Sequence, residues 1–429
     1  MVNTIKVLLW GKELGALHWL EDQKYASFEY FESFLKSGLD VSPIHLPTQH
    51  AKNQIFSFPN LNEETFKGLP GLLSDVLPDD FGNQLINQYL RINNINKEQF
   101  TPLDRLLYIG KRGMGALEFE PATNTAQQAD IPIEVDALVA LTKKVLADRE
   151  ELQLNLQETE HLNELIKVGT SAGGQRAKAV IAYNPSTNEI RSGQTDVPDG
   201  FAHYLFKFDG VDDQSLSDPK GFGRIEYAYY LMALDCGIHM MPSQLFEENG
   251  RAHFMTQRFD RLPNNEKLHM QTLCSLAHFD YKKPGAYSYE DAFDVMRKLQ
   301  LPKESAIQLY KRMLFNVIAR NQDDHTKNIS FVMHKNGQWE LSPAYDVTYS
   351  YNPTGIWTNS HQMSIHGKRT DFTLEDLLKP GENIGYQDRK QTLKHISNTV
   401  ANWQSYAAKA GIPKKQALLL EKAFRLEFL

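Results

Sequence analysis

The chain is poor in cysteine. Its 429 residues hold only Cys236 and Cys274, with no Cys-x-x-Cys spacing. That argues against a disulfide framework and a cysteine-built zinc site, and points to a reducing cytoplasm. Long apolar runs are also missing: none approaches the roughly 18 residues that a membrane helix needs. The apolar stretch near the amino terminus is broken by Gly11 and Lys12 and is too short for a signal-peptide core. An excess of positive charge is absent. The formal net charge is −7, which argues against coating nucleic acid as the main task. It leaves room for a local basic patch, or for a partner that binds DNA. No internal repeat and no low-complexity tract is visible. What is present is ordinary globular composition, 41% hydrophobic and 23% charged, in a chain long enough for about two or three domains.

"TIKVLLWGKELGALHWL" reads as two short strands around a Gly-Lys turn, followed by aromatic alternation in "YASFEYFESFLKSG". After breaks at Pro70 and Pro78, a helix is expected from about Phe81. Residues 1–122 read as one small α/β subdomain. Apolar residues three and four apart predict helices in "EVDALVALTKKVLADRE" and "TEHLNELIKV". A Gly-rich loop, "GTSAGGQRAK", leads into a strand, an Asn-Pro turn and a second strand. "FAHYLFKFDG" and "RAHFMTQRFDR" read as further strands, and "GFGRIEYAYYLMALDCGI" as a helix ended by Gly237. Beyond Leu262 the pattern is mostly helical. A β-rich segment, 123–262, followed by an α-rich segment, 263–429, predicts an α+β fold of two lobes with a cleft between them.

"NQDDHTKNIS", residues 321–330, lies between a helical segment and "ISFVMHKNGQWELSPAYDV". The latter reads as a hairpin, because Asn336-Gly337 between apolar strands is a strong turn signal. The hairpin would bring Asp323 and Asn328, before its first strand, close to Asp346, after its second. One Asp, an Asn five residues on and a second Asp across a hairpin suit phosphoryl transfer. In such sites the first Asp orients the attacking hydroxyl, while the amide and second carboxylate hold Mg²⁺ on the nucleotide phosphates. The bare spacing also suits a polar turn with Asx caps. Asp323, Asp324 and His325 could instead begin a metal-hydrolase site, although no second ligand cluster stands at the required spacing.

Phosphate contacts have to come from the other lobe. Backbone amides around Gly173 and Gly174 could cradle phosphate, without forming a Walker A motif. Lys207, flanked by Phe206 and Phe208 in a strand, needs an anionic partner, and Glu226 on the following helix could supply it. A solvent-facing lysine on an edge strand is the plainer alternative. Gln257 to Phe259 could form the strand between lobes and meet adenine.

Taken together, "GLPGLLSDVLPDDFG", "TSAGGQRAK", "FKF", "QRFDR", "NQDDHTKNISF" and "LSPAYDV" resemble the HipA family of bacterial serine/threonine kinases, the toxins of HipBA-type toxin–antitoxin systems. The segments occur in the family's order, over roughly residues 5 to 350. The resemblance implies a two-lobed, protein-kinase-like fold with an N-terminal α/β subdomain, a β-rich ATP lobe and an all-α C-terminal lobe, distantly similar to lipid kinases. Their Asp-x-His-x-x-Asn loop matches "DDHTKN". It implies ATP and Mg²⁺, with the catalytic Asp at Asp323 and metal-binding groups at Asn328 and Asp346. It further implies ATP contacts at Lys207, with adenine contacts at the Gln257 and Phe259 positions. Lys178 becomes a second phosphate contact, and Thr170 or Ser171 the autophosphorylated residue of the Gly-rich loop. Gln257 departs from the family, which often has Glu there. The implied partners are a protein substrate such as an aminoacyl-tRNA synthetase and a HipB-like helix-turn-helix antitoxin. DNA is met only through that antitoxin, and no membrane is involved. A co-repressor role on operator DNA, or a small-molecule or lipid kinase of similar fold, are the other implied readings.

Overall fold

A computed structural model describes residues 2–78, 80–122, 133–147, 165–166, 168–169, 176–194, 196–211 and 221–428. Thr170, Ser171, Gly173 and Gly174 lie outside the described residues, as does most of the helix expected in "TEHLNELIKV". Among the described residues, three antiparallel sheets and a set of helices make up the fold. The first sheet has the order β4-β3-β2-β1-β5, with β1 Thr4–Leu9, β2 Lys12–Leu20, β3 Tyr25–Tyr30, β4 Ile55–Ser57 and β5 Leu117–Glu120. β1 and β2 form the expected hairpin, closed at Trp10 and Gly11, both with positive φ.

The second sheet has the order β7-β6-β8-β10-β9, with β6 Lys178–Asn184, β7 Glu189–Ser192, β8 Ala202–Lys207, β9 Ser243–Glu248 and β10 Arg251–Gln257. β9 is not evident in the sequence. "SQLFEE" alternates weakly, and it is strand because Asn249-Gly250 folds it onto β10. The Phe222–Asp235 helix lies directly on β10. Gly223 permits this, because a Cβ there would meet the Ala252 carbonyl oxygen at 2.0 Å. That close approach sets the depth at which the next turn, with Glu226, enters the molecule.

The chain beyond Leu262 is helical apart from a third sheet, β11-β12-β13, built from His269–Thr272, Ser330–Met333 and Trp339–Leu341. Two of its helices start from capping boxes, at Ser288/Asp291 and Thr373/Asp376. The Lys303–Ile318, Arg389–Ala401 and Trp403–Lys409 helices pack around fully buried Tyr229, Phe315 and Trp403. One hydrophobic cluster runs from the first sheet through the Phe222–Asp235 helix to the carboxyl-terminal helices. A second joins the second sheet to the Asp80–Ile92 and Val135–Ala147 helices. Among the described residues, no helix is long and apolar enough to cross a membrane.

"QRFDR" begins at the last residue of β10 and carries a charge network deep in the protein. Asp260 is fully buried and accepts from Arg258 Nε at 2.9 Å, Arg258 Nη2 at 2.6 Å and Arg261 Nη1 at 2.6 Å. It also accepts from the Gly115 N–H at 2.7 Å, while Arg261 donates to the Gly113 and Gly115 carbonyls at 2.8 and 2.9 Å. The segment after β10 is thereby tied to the loop entering β5. Burial raises the Asp260 carboxyl, but the two guanidiniums outweigh it and hold the group well below the usual carboxylate range. Removing one member of such a network leaves buried charge without a partner. Asp260→Ala should therefore cost about 3–5 kcal/mol, read as a lowered midpoint in urea unfolding.

Candidate active site

Lys207 closes β8 and lies in register with Lys178 on β6 and Phe254 on β10. Its ammonium sits 2.5 Å from Glu226 Oε1, on the Phe222–Asp235 helix. It lies equally 2.5 Å from Asp346 Oδ1, in the segment that follows β13. The edge-strand alternative is excluded, because β8 is an interior strand and the lysine side chain is only 11% exposed. Burial pushes the Lys207 ammonium towards losing its proton, but the charges of Asp346 and Glu226 prevail and hold it above its ordinary value. Burial likewise raises the Asp346 carboxyl. Lys207, Lys178 and His325 outweigh burial there, so the carboxyl stays well below the usual range.

The predicted hairpin forms between β12 and β13, with Phe331 opposite Leu341 and Met333 opposite Trp339. Its turn has the His334 N–H on the Gln338 carbonyl at 2.9 Å and Gly337 at φ +86°. The two strand ends are fastened by Tyr345, whose hydroxyl donates to the Lys327 carbonyl at 2.5 Å. Tyr345 precedes Asp346 and Lys327 precedes Asn328, so that one bond draws both polar residues to the same rim. Asp346 has φ +52°, a left-handed conformation that Asp tolerates better than most residues. The Phe259 ring lies 5.7 Å from that of Tyr345, which puts an aromatic face beside the same place. Gln257, at the end of β10, gives its N–H to the Pro242 carbonyl at 2.9 Å.

The acidic pair in "DDHTKN" divides sharply. Asp324 points inward and is saturated. Tyr289 Oη donates to its Oδ2 at 2.9 Å, His361 Nδ1 contacts the same oxygen at 2.8 Å, and the Gln362 N–H donates to Oδ1 at 2.7 Å. Arg425 donates to His361 Nε2 at 2.9 Å, which puts the ring proton on Nδ1, facing the carboxylate. Burial raises Asp324, but His361 and these donors bring it below its ordinary value. A carboxylate so engaged is an internal anchor, which removes it from a metal-hydrolase set. Asp323 faces outward, its side chain 41% exposed. Its N–H donates to Ser350 Oγ at 3.0 Å, and its carbonyl accepts Asn328 Nδ2 at 2.8 Å. With its nitrogen engaged, the Asn328 amide presents its oxygen as an acceptor. His325 Nε2 stands 3.8 Å from Asp323 Oδ1.

The anchors Tyr289, His361 and Gln362, and the contacts from Ser350 and Trp357, have no signal in the sequence. They reach the loop from residues 27 to 38 positions away. Trp357 Nε1 donates to Asp323 Oδ1 at 2.7 Å.

Residues 170–417 match the family described as HipA-like C-terminal domain, and residues 5–120 match the HipA N-terminal domain. Y4mE, a candidate kinase of Sinorhizobium fredii, is 24% identical over 363 residues, 79% of this chain and 71% of its own length. A candidate kinase of Haemophilus influenzae is 26% identical over 156 residues, 31% of this chain and 45% of its own length. The solved complex of Shewanella oneidensis MR-1 HipA with HipB and operator DNA contains a chain of similar fold. The TM-score is 0.67 at 16% identity, covering 99% of this chain and 96% of that one.

The Lys207 cluster has a pH signature. A depressed Asp346 contributes stability above the ordinary carboxylate value of about 3.9, lost as pH falls through its lower folded value. A raised Lys207 contributes below about 10.4, lost as pH rises through its higher folded value. Between these limits the wild-type cluster should be insensitive to pH. Lys207→Met removes the main counter-charge, so burial governs Asp346 and proton uptake then favours the folded state. Its melting temperature should be lower than wild type at neutral pH and rise as pH is lowered from about 8 to about 5. Thermal scans across that range would show the slope.

Proposed function

Because this chain belongs to the HipA family, we propose that it is an ATP-dependent serine/threonine protein kinase, a growth-arresting toxin restrained by a HipB-like antitoxin and by autophosphorylation of its Gly-rich loop. The observation that carries the reading is the placement of Lys207 between Glu226 and Asp346, with Asp346 on the rim that also holds Asn328. In this reading residues 1–122 are the N-terminal subdomain, 123–262 grip the nucleotide, and 263–429 carry the catalytic loop. The match to kinase-named relatives and the fold shared with the Shewanella HipA chain support it.

Each residue then has a task. Lys207, held by Glu226, meets the phosphates. Lys178, its cross-strand neighbour, adds positive charge at the same end of the sheet. Gly173 and Gly174 belong to the loop over the phosphates. The Gln257 to Phe259 segment and the Phe259 ring meet the adenine. Asp323 orients the acceptor hydroxyl and takes its proton as general base.

The Asn328 amide oxygen and the Asp346 carboxylate are hard donors, one neutral and one anionic. They fit an ion that takes few protein ligands, and they would hold Mg²⁺. When bound, that ion offsets the negative charge of the transferring phosphoryl group. Asp346 already faces a cation, Lys207, so it is arranged for positive charge.

The proposed acceptor is a protein, an aminoacyl-tRNA synthetase being the family's example, in the cytoplasm. DNA contact is proposed only through the helix-turn-helix antitoxin. A phosphate on Ser171 or Thr170 would add about two negative charges to the loop and repel the ATP phosphates, which gives the switch its physical basis. Incubation with Mg-ATP should give a singly phosphorylated chain, with the phosphate on Ser171 or Thr170. Asp323→Ala should lower incorporation by about 10²–10⁴-fold while ATP still binds. Intact-mass analysis reads this directly, and equal incorporation in both chains would refute the base assignment.

A further inference from the structure

Asp323 has four polar groups, and three are engaged. Its N–H goes to Ser350 Oγ at 3.0 Å, its carbonyl accepts Asn328 Nδ2 at 2.8 Å, and its Oδ1 accepts Trp357 Nε1 at 2.7 Å. Oδ2 has no hydrogen-bond donor among the described residues. The carboxylate is thus pinned through one oxygen and open through the other. Trp357 is itself fixed to the same loop. Its carbonyl accepts Gln362 Nε2 at 2.6 Å; that amide also reaches the Gln322 carbonyl at 3.2 Å, while the Gln362 N–H holds Asp324. Indole and carboxylate therefore share one frame, set from residues on both sides of Asp323. The His325 ring completes the surroundings, with its centroid 6.5 Å from Trp357 and 5.2 Å from Tyr281.

We propose that Trp357 is a positioning residue for phosphoryl transfer: its indole N–H holds Oδ1 of Asp323 so that Oδ2 faces the acceptor hydroxyl. The inference rests on the kinase reading above and deepens it. A carboxylate free to turn about χ2 would offer its oxygens to the hydroxyl in many orientations, and misplacement of a catalytic group by an ångström is costly. A single directional donor on one oxygen removes that freedom while leaving the other lone pairs available. Gating is the rival role for such a contact. It is disfavoured because the indole occupies one oxygen only, and because Gln362 ties Trp357 to the loop it would have to leave.

Trp357→Phe keeps an aromatic ring and deletes the donor. In full-length protein with Mg-ATP, the maximal rate of autophosphorylation, read by intact mass, should fall about 10- to 100-fold. The ATP concentration that gives half that rate, and the affinity for a fluorescent ATP analogue, should stay at wild-type values. A structural loss would instead move both. A second measurement needs no turnover. In ¹⁵N-indole NMR spectra, the Trp357 signal, identified by its absence in Trp357→Phe, should shift in Asp323→Ala. Autophosphorylation that is unchanged or faster in Trp357→Phe would overturn the proposal. So would a rise in the half-saturating ATP concentration without loss of maximal rate, or an indole signal indifferent to Asp323→Ala. Equal autophosphorylation in Asp323→Ala and wild type would refute the base assignment and this inference with it, whereas none in wild type would sink the kinase reading itself.

Discussion

A single ammonium group between two carboxylates holds the candidate site together. Lys207 comes from a strand, Glu226 from a helix and Asp346 from the segment after a hairpin in another sheet. In a mostly buried setting none of the three charges is tolerable alone, so the three elements must approach one another for the charges to be compensated. The constraint is electrostatic, but its precision is steric. Gly223 lets the helix close onto β10, and Glu226 then lies within reach of the lysine.

A second charge network stands along the same sheet. Arg258, Asp260 and Arg261 carry the chain from β10 to the loop before β5, using guanidinium forks and backbone carbonyls. Gln257 and Phe259 adjoin it, so the stretch proposed to meet adenine is rigid because of ionic contacts one residue away. In "QRFDR" Arg258, Asp260 and Arg261 are buried, while Gln257 and Phe259 are partly exposed. Its charged members act as structure, and its other two are the ones proposed to meet the nucleotide.

Much of the architecture is legible from local pattern. The β1–β2 and β12–β13 hairpins follow from alternation and from Gly at a turn needing positive φ. The carboxyl-terminal helices follow from apolar spacing and capping boxes. β9 escapes because its residues carry almost no alternation, and pairing with β10 is what makes it a strand. In the site, Lys207, Glu226, Asp323, Asn328 and Asp346 stand out as charged or amide residues placed where a strand, helix or hairpin must present them. Trp357, Ser350, Tyr289, His361 and Gln362 do not, because no local spacing links them to the loop they hold.

The sequence by itself determined the chemical inventory: hard oxygen donors, a strand lysine with a helix glutamate downstream, and a turn that returns Asp346 towards Asn328. It singled out Asp323 by its spacing to Asn328, but it did not show what surrounds either of the two adjacent aspartates. Tertiary structure shows that: Asp324 is enclosed by Tyr289, His361 and the Gln362 amide, while one oxygen of Asp323 is left open to the surface. The reason is physical. A carboxylate's role follows from how many donors satisfy it, and those donors arrive from distant parts of the chain only once it has folded.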